Sequence, residues 1–124
     1  MDMTVYVVQN THYKDKRDGK VKPKFDFAPA AQFGDIQFLL EPDASPFDLA
    51  PVQKALHKKL MHFSNQDYIL CVGSPVLIGL AVAIAADYAQ GNVGMLQWSG
   101  EKQRYFPARA FDVFNEGGAA DRAS

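Results

Sequence analysis

Six cations crowd a short stretch near the start of the chain: Lys14, Lys16, Arg17, Lys20, Lys22 and Lys24, all within residues 10–24 (NTHYKDKRDGKVKPK). Each can displace a counterion from nucleic acid or pair with a carboxylate on a protein partner. Tyr13 and Phe25 flank the run as stacking surfaces. Asp15 and Asp18 dilute the charge, and the usual fate of such a run is a solvated loop. Three readings stay open at this point: solvated loop, contact with a protein, contact with nucleic acid.

A second candidate is Gly73-Ser74-Pro75. It follows the apolar run 68–72 (YILCV) and precedes a helical pattern. Open α/β sheets bind ligands at that place, beyond the carboxyl end of a strand and against the free N–H groups of a helix terminus. Gly73 and Ser74 would hold an anion there. The triplet lacks the spaced glycines of a dinucleotide turn and the Gly-Lys-Ser/Thr of a phosphate loop, and Pro75 removes a donor. Ser74 as N-cap and Pro75 at the first helical position account for the residues without any ligand.

No catalytic or metal constellation emerges. His57 and His62 are five residues apart, which turns them away from each other on a helix, His12 is remote, and Cys71 is the lone cysteine. Asp67 and Asp87 each sit at an element boundary, where polar residues belong for structural reasons. Gly-Ser-Pro is not the G-x-S-x-G elbow of a hydrolase, since proline falls where an oxyanion N–H is needed. Cys71 has no internal disulfide partner and is expected to behave as a small buried hydrophobe. The reading is therefore no catalytic residue, no metal and no cofactor. Trp98, Tyr105 and Phe106 are expected to form a cross-strand aromatic cluster, with a partner-binding patch as the alternative.

The elements that must carry these residues can be read along the chain. Residues 4–9 (TVYVVQ) suit a strand. Asp18-Gly19 can take the positive φ angles that fold the basic arm back as a protruding hairpin. Residues 25–34 contain one short helical turn, begun near Pro29 and ended by Gly34 in the left-handed conformation. Residues 35–40 form a second strand, stopped by Pro42. Leu49, Val52, Leu56, Leu60 and Phe63 line one side of a first long helix, with Asp48 as N-cap and Ser45 as its rival. Residues 68–72 are a strand buried on both faces. A second long helix runs from Pro75 to a stop at Gly91, and residues 93–98 are the next strand, completing a parallel crossover. Residues 104–111 run back as an antiparallel edge strand, where Pro107 costs no ladder bond. The fold class is α/β: a small mixed sheet of about five strands with a right-handed βαβ unit, two long helices and a C-terminal antiparallel hairpin. One domain is expected over residues 1–114, with an exposed basic arm at 10–24 and a disordered tail at 115–124.

Composition narrows the function classes. With 48% apolar residues the chain can build a core, and a net charge of −1 gives no global attraction to nucleic acid or anionic lipid. The start of the chain lacks a secretory signal, and the apolar segment 75–86 falls short of the ~20 residues that span a bilayer. No membrane partner and a cytoplasmic compartment are expected.

Residues 25–36 (FDFAPAAQFGDI) and 67–112 (DYILCVGSPVLIGLAVAIAADYAQGNVGMLQWSGEKQRYFPARAFD), with the opening TVYVVQ, resemble a group of short uncharacterised proteins encoded by tailed bacteriophages. The most specific part is the order strand, Gly-x-Pro, alanine-rich helix, strand, Tyr. Members of that group often carry Gly-Asp-Pro where this chain has Gly73-Ser74-Pro75, and Trp-Asp-Arg where it has Trp98-Ser99-Gly100. Both departures remove a carboxylate, and the resemblance transfers no catalytic role. It implies a phage gene product acting inside a bacterial host, or a virion part.

The function expected from the sequence is a non-enzymatic accessory protein that binds a macromolecule, foremost a host or phage protein, through the basic arm and the nearby sheet edge. The alternatives are a nucleotide- or anion-binding protein or enzyme using the Gly73-Ser74-Pro75 terminus, a nucleic-acid binder using the arm, and a virion component. Self-association into a homo-oligomer would cover the outer strands.

Overall fold

A computed structural model describes residues 3–115. The valine-rich Thr4–Gln9 segment forms β1, an inner strand next to the sheet edge and buried on both of its faces. The basic arm supplies β2 (His12–Lys14) and β3 (Val21–Pro23), which pair only with each other. A 3-10 turn (Ala28–Phe33) leads into β4 (Asp35–Leu40). Then follow α1 (Leu49–Leu60), β5 (Tyr68–Leu70), α2 (Pro75–Tyr88), β6 (Val93–Ser99) and β7 (Arg104–Ala110). From residue 116 on, the expected disordered tail lies outside the described residues.

The five-stranded sheet has the order β4-β1-β5-β6-β7. The β4–β1, β1–β5 and β5–β6 pairs are parallel, and β6–β7 is antiparallel. The mixed sheet, the βαβ unit and the C-terminal hairpin are thus all present. Alternation along β1 divides the core. Tyr6 and Val8 meet Leu56 and Leu60 of α1 and Leu77, Ala81 and Ile84 of α2, while Val5 and Val7 meet Phe27, Ala30, Leu96 and Tyr105 on the other face. Both helices therefore cover one face, and the 3-10 segment covers the other. The chain passes from β1 to β4 across the 3-10 face, then back past β1 to β5 and β6 across the helix face. Opposite directions on opposite faces give all three crossovers the same hand, as right-handed chirality requires.

Several local expectations need correction. Ser74 and Asp48 occupy the N-cap positions of α2 and α1, but neither side chain makes a capping hydrogen bond. Ser45 also does not cap α1; its hydroxyl accepts the Phe47 N–H. Gly34 closes the 3-10 turn at φ 150°, not in the left-handed helical conformation. Its need for glycine is a close approach, because a Cβ there would lie 2.5 Å from the Met3 carbonyl oxygen. At the end of α2 the expected Gly91 does take a positive φ (89°), and Gln90 (φ 59°) enters the left-handed region one residue before it. The Gly91 N–H then reaches back to the Ala86 carbonyl, the longer bond of a Schellman ending. Phe63 is buried beyond the last turn of α1, not on it. β5 stops at Leu70, where a tight turn brings the Val72 N–H onto the Leu70 carbonyl.

Candidate functional site

The basic arm folds as a hairpin with its own internal clamp. Tyr13 lies opposite Lys22, and Lys14 opposite Val21. The connecting loop is longer than a two-residue Asp-Gly turn: Gly19, at φ 72°, donates to the Asp15 carbonyl, and the Asp15 N–H bonds the Lys20 carbonyl. The Asp15 carboxylate, 6% exposed, accepts the Arg17 N–H and the Lys22 ammonium at 2.8 Å each. Lys22 also meets Asp18 at 3.0 Å, and the Arg17 guanidinium stands 3.6 Å from Asp15. The two acids thus fold the loop instead of merely diluting its charge. Lys22 is spent internally, whereas Lys14, Lys16, Lys20 and Lys24 have no ion-pair partner among the described residues. The Lys24 N–H bonds the Thr11 carbonyl and ties the base of the hairpin to the carboxyl end of β1.

At that base the sheet opens into a crevice. Register places Leu70 beside Leu96, and beyond that pair Val72 and Trp98 line the same space. Trp98 lies directly opposite Tyr105, their rings edge to face at 4.9 Å between centroids. The Tyr105 hydroxyl donates to the Asp26 carbonyl, and the Lys24 ammonium lies 5.6 Å from the centroid of the Phe25 ring. Lys24, Phe25, Asp26, Pro29, Val72, Trp98 and Tyr105 enclose about 290 Å³. Of the expected aromatic cluster, Trp98 and Tyr105 meet. Phe106 does not join them, because it is one residue on from Tyr105 in a strand and packs under the Arg104 guanidinium at 4.4 Å.

The Gly73-Ser74 terminus stands apart from this lining. Gly73, at φ 119°, packs against Gln9, whose Cβ would be 3.0 Å from a Cβ at position 73. Gln9 in turn donates from Nε2 towards the carbonyls of Glu41, Pro42 and Ala44, pinning the turn that leads to α1. The reversal point of the sheet is therefore filled by a glutamine. A buried Gln at a strand end followed by Asn gives no distinctive signal in the sequence.

Other residues singled out above have structural partners. Asp67 accepts the Thr4 N–H, the Ser64 N–H and the Ser64 hydroxyl, joining the starts of β1 and β5. His57 Nδ1 lies 2.9 Å from the Tyr88 hydroxyl and links α1 to α2. Cys71 is half-buried, not fully buried as expected, and burial pushes its thiol above the ordinary range, so it stays protonated. Arg109 carries no distinctive sequence signal. Its guanidinium lies over Tyr68 at 4.8 Å in the space left by Gly94, where a Cβ would come within 2.6 Å of it. Among the described residues no three His, Cys, Asp or Glu side chains converge as a metal site would require, and no helix is long and apolar enough to cross a membrane.

Comparison with known proteins adds one result. A family model described as Phage Pam3 gp32-like protein matches residues 3–111, nearly the whole described chain, in line with the resemblance to phage proteins. No curated protein and no solved structure matches.

Proposed function

The chain belongs to the Phage Pam3 gp32-like protein family, and from that premise we propose a non-enzymatic accessory role inside the infected bacterium, in which the basic hairpin docks on an acidic patch of a host or phage protein. The observation that carries this reading is the division of labour inside the hairpin. Asp15, Asp18 and Lys22 hold the loop in shape, and Lys14, Lys16 and Lys20 stay exposed and unspent. A pre-ordered loop loses less conformational entropy on docking than a floppy one, which favours binding over a merely solubilising role. Residues 10–24 hold six cations and two acids, yet the net charge of the whole chain is −1, so the rest of the molecule is acidic. That balance repels a long polyanion and suits a partner whose negative charge is confined to one patch.

The test is affinity capture from infected cells with the tagged chain and with its Lys14→Glu/Lys16→Glu/Lys20→Glu variant. A protein held by the parent, released by salt and lost from the variant is expected, with both forms melting at the same temperature. Identical captures by the two forms, or a bound species that nuclease removes, would overturn the reading.

A further inference from the structure

The crevice at the hairpin base raises a separate question, independent of what the cations dock on. Trp98 and Phe25 are 45% and 40% exposed, although large aromatic rings usually bury most of their surface. Both line the same space, with the Pro29 ring and the Val72 side chain as further apolar walls. Trp98 is held in place from behind by Tyr105, and Tyr105 by the Asp26 carbonyl, so the walls are set before any ligand arrives. At the rim stand one cation, Lys24, and one acid, Asp26, whose Oδ1 accepts the Ala28 N–H and whose other carboxylate oxygen remains to accept a donor.

The crevice lies beyond the carboxyl ends of β5 and β6, at the end of the sheet where open α/β folds bind ligands, one strand away from the β1–β5 reversal that Gln9 fills. A volume of about 290 Å³ is at the small end of ligand pockets, with room for one heteroaromatic ring and little more. Flat apolar walls suit stacking, a carboxylate suits a ring amino group, and an ammonium suits a phosphate.

We infer that the crevice binds a free nucleotide, with the base against Trp98 and Phe25, a base amino group on Asp26 and the phosphate on Lys24. A single-stranded nucleic acid shares this chemistry, but the lining has room for one base and offers a single cation, Lys24, for one phosphate. The free nucleotide is therefore the assigned ligand.

Trp98 is the only tryptophan, so its emission reports on this site alone. Titrating the full chain with AMP, GMP and CMP is expected to change that emission saturably within the millimolar range, while ribose 5-phosphate, which has no ring, leaves it unchanged. Lys24→Gln, an exposed substitution that leaves the core untouched, is expected to weaken AMP about ten-fold and adenosine hardly at all. Phe25→Ala is expected to weaken both. The inference is overturned by emission that never saturates, by binding that Lys24→Gln leaves intact, or by an oligoadenylate strand that binds far more tightly than AMP.

Discussion

Asp15 shows how one carboxylate can organise a surface without belonging to the core. Its pKa is held below the ordinary carboxylate value, first by the hydrogen bond from Lys22 and then by the Arg17 N–H. A depressed folded-state pKa contributes order that is complete above the unfolded carboxylate value and is lost as the pH falls through the folded one. The hairpin should therefore hold through neutral and mildly acidic pH and loosen below the usual carboxylate range. Protection of the Arg17 and Gly19 amides, taken relative to the intrinsic exchange rate at each pH, should fall there ahead of protection in β1. Asp15→Asn should produce the same local loss of protection at neutral pH with the melting temperature nearly unchanged, because the hairpin contributes nothing to either buried cluster. This role was not legible in the sequence. Asp15 and Lys22 are seven residues apart, and their pairing depends on a loop longer than the Asp18-Gly19 signal suggests. Gln9 was hidden for the same reason, since its acceptors lie more than thirty residues away.

At the scale of elements the sequence was most legible where two signals coincided. Ser74-Pro75 marks the start of α2, and the β-branched or apolar runs mark β1, β5 and β6. Partners of individual side chains at the ends were less legible. A capping serine is ordinarily worth about 1 kcal/mol, yet the Ser74 hydroxyl makes no capping bond. Ser74→Ala should accordingly cost less than ~0.5 kcal/mol in chemical denaturation. Gln90 gives the opposite case. A left-handed conformation costs a side-chain-bearing residue about 1–2 kcal/mol, while glycine loses part of that advantage through its greater freedom when unfolded. Gln90→Gly should stabilise the protein by roughly 0.5–1 kcal/mol, read as a shift of the denaturation midpoint with unchanged slope. Gly91, the usual left-handed residue, marks the stop in the sequence and has a positive φ of 89°, but nothing local shows that Gln90 shares the conformation.

On the scale of the whole molecule, charge and shape are separated. Two hydrophobic clusters back the sheet on its two faces, and the hairpin projects from its carboxyl edge as a dense cationic feature on a molecule whose other described residues are net acidic. The α/β class and the antiparallel end of the sheet followed from strand and helix patterns alone. Strand order did not, because nothing local says that β5 must settle beside β1 and not beside β4. For the same reason the crevice was invisible beforehand: it needs Phe25, Val72 and Trp98 brought together from three separate segments. If the hairpin docks through charge, its association should slow as ionic strength rises, while the crevice, with a single cation at its rim, should respond weakly.

The most direct measurement places a photo-crosslinking p-benzoylphenylalanine at Lys16, and in a control at Gln53 on the exposed side of α1, and irradiates infected cells. A discrete protein adduct is expected from position 16, absent from position 53 and abolished when Lys14 and Lys20 are also reversed to glutamate. No adduct at position 16, or the same adduct from both positions, contradicts docking through the hairpin.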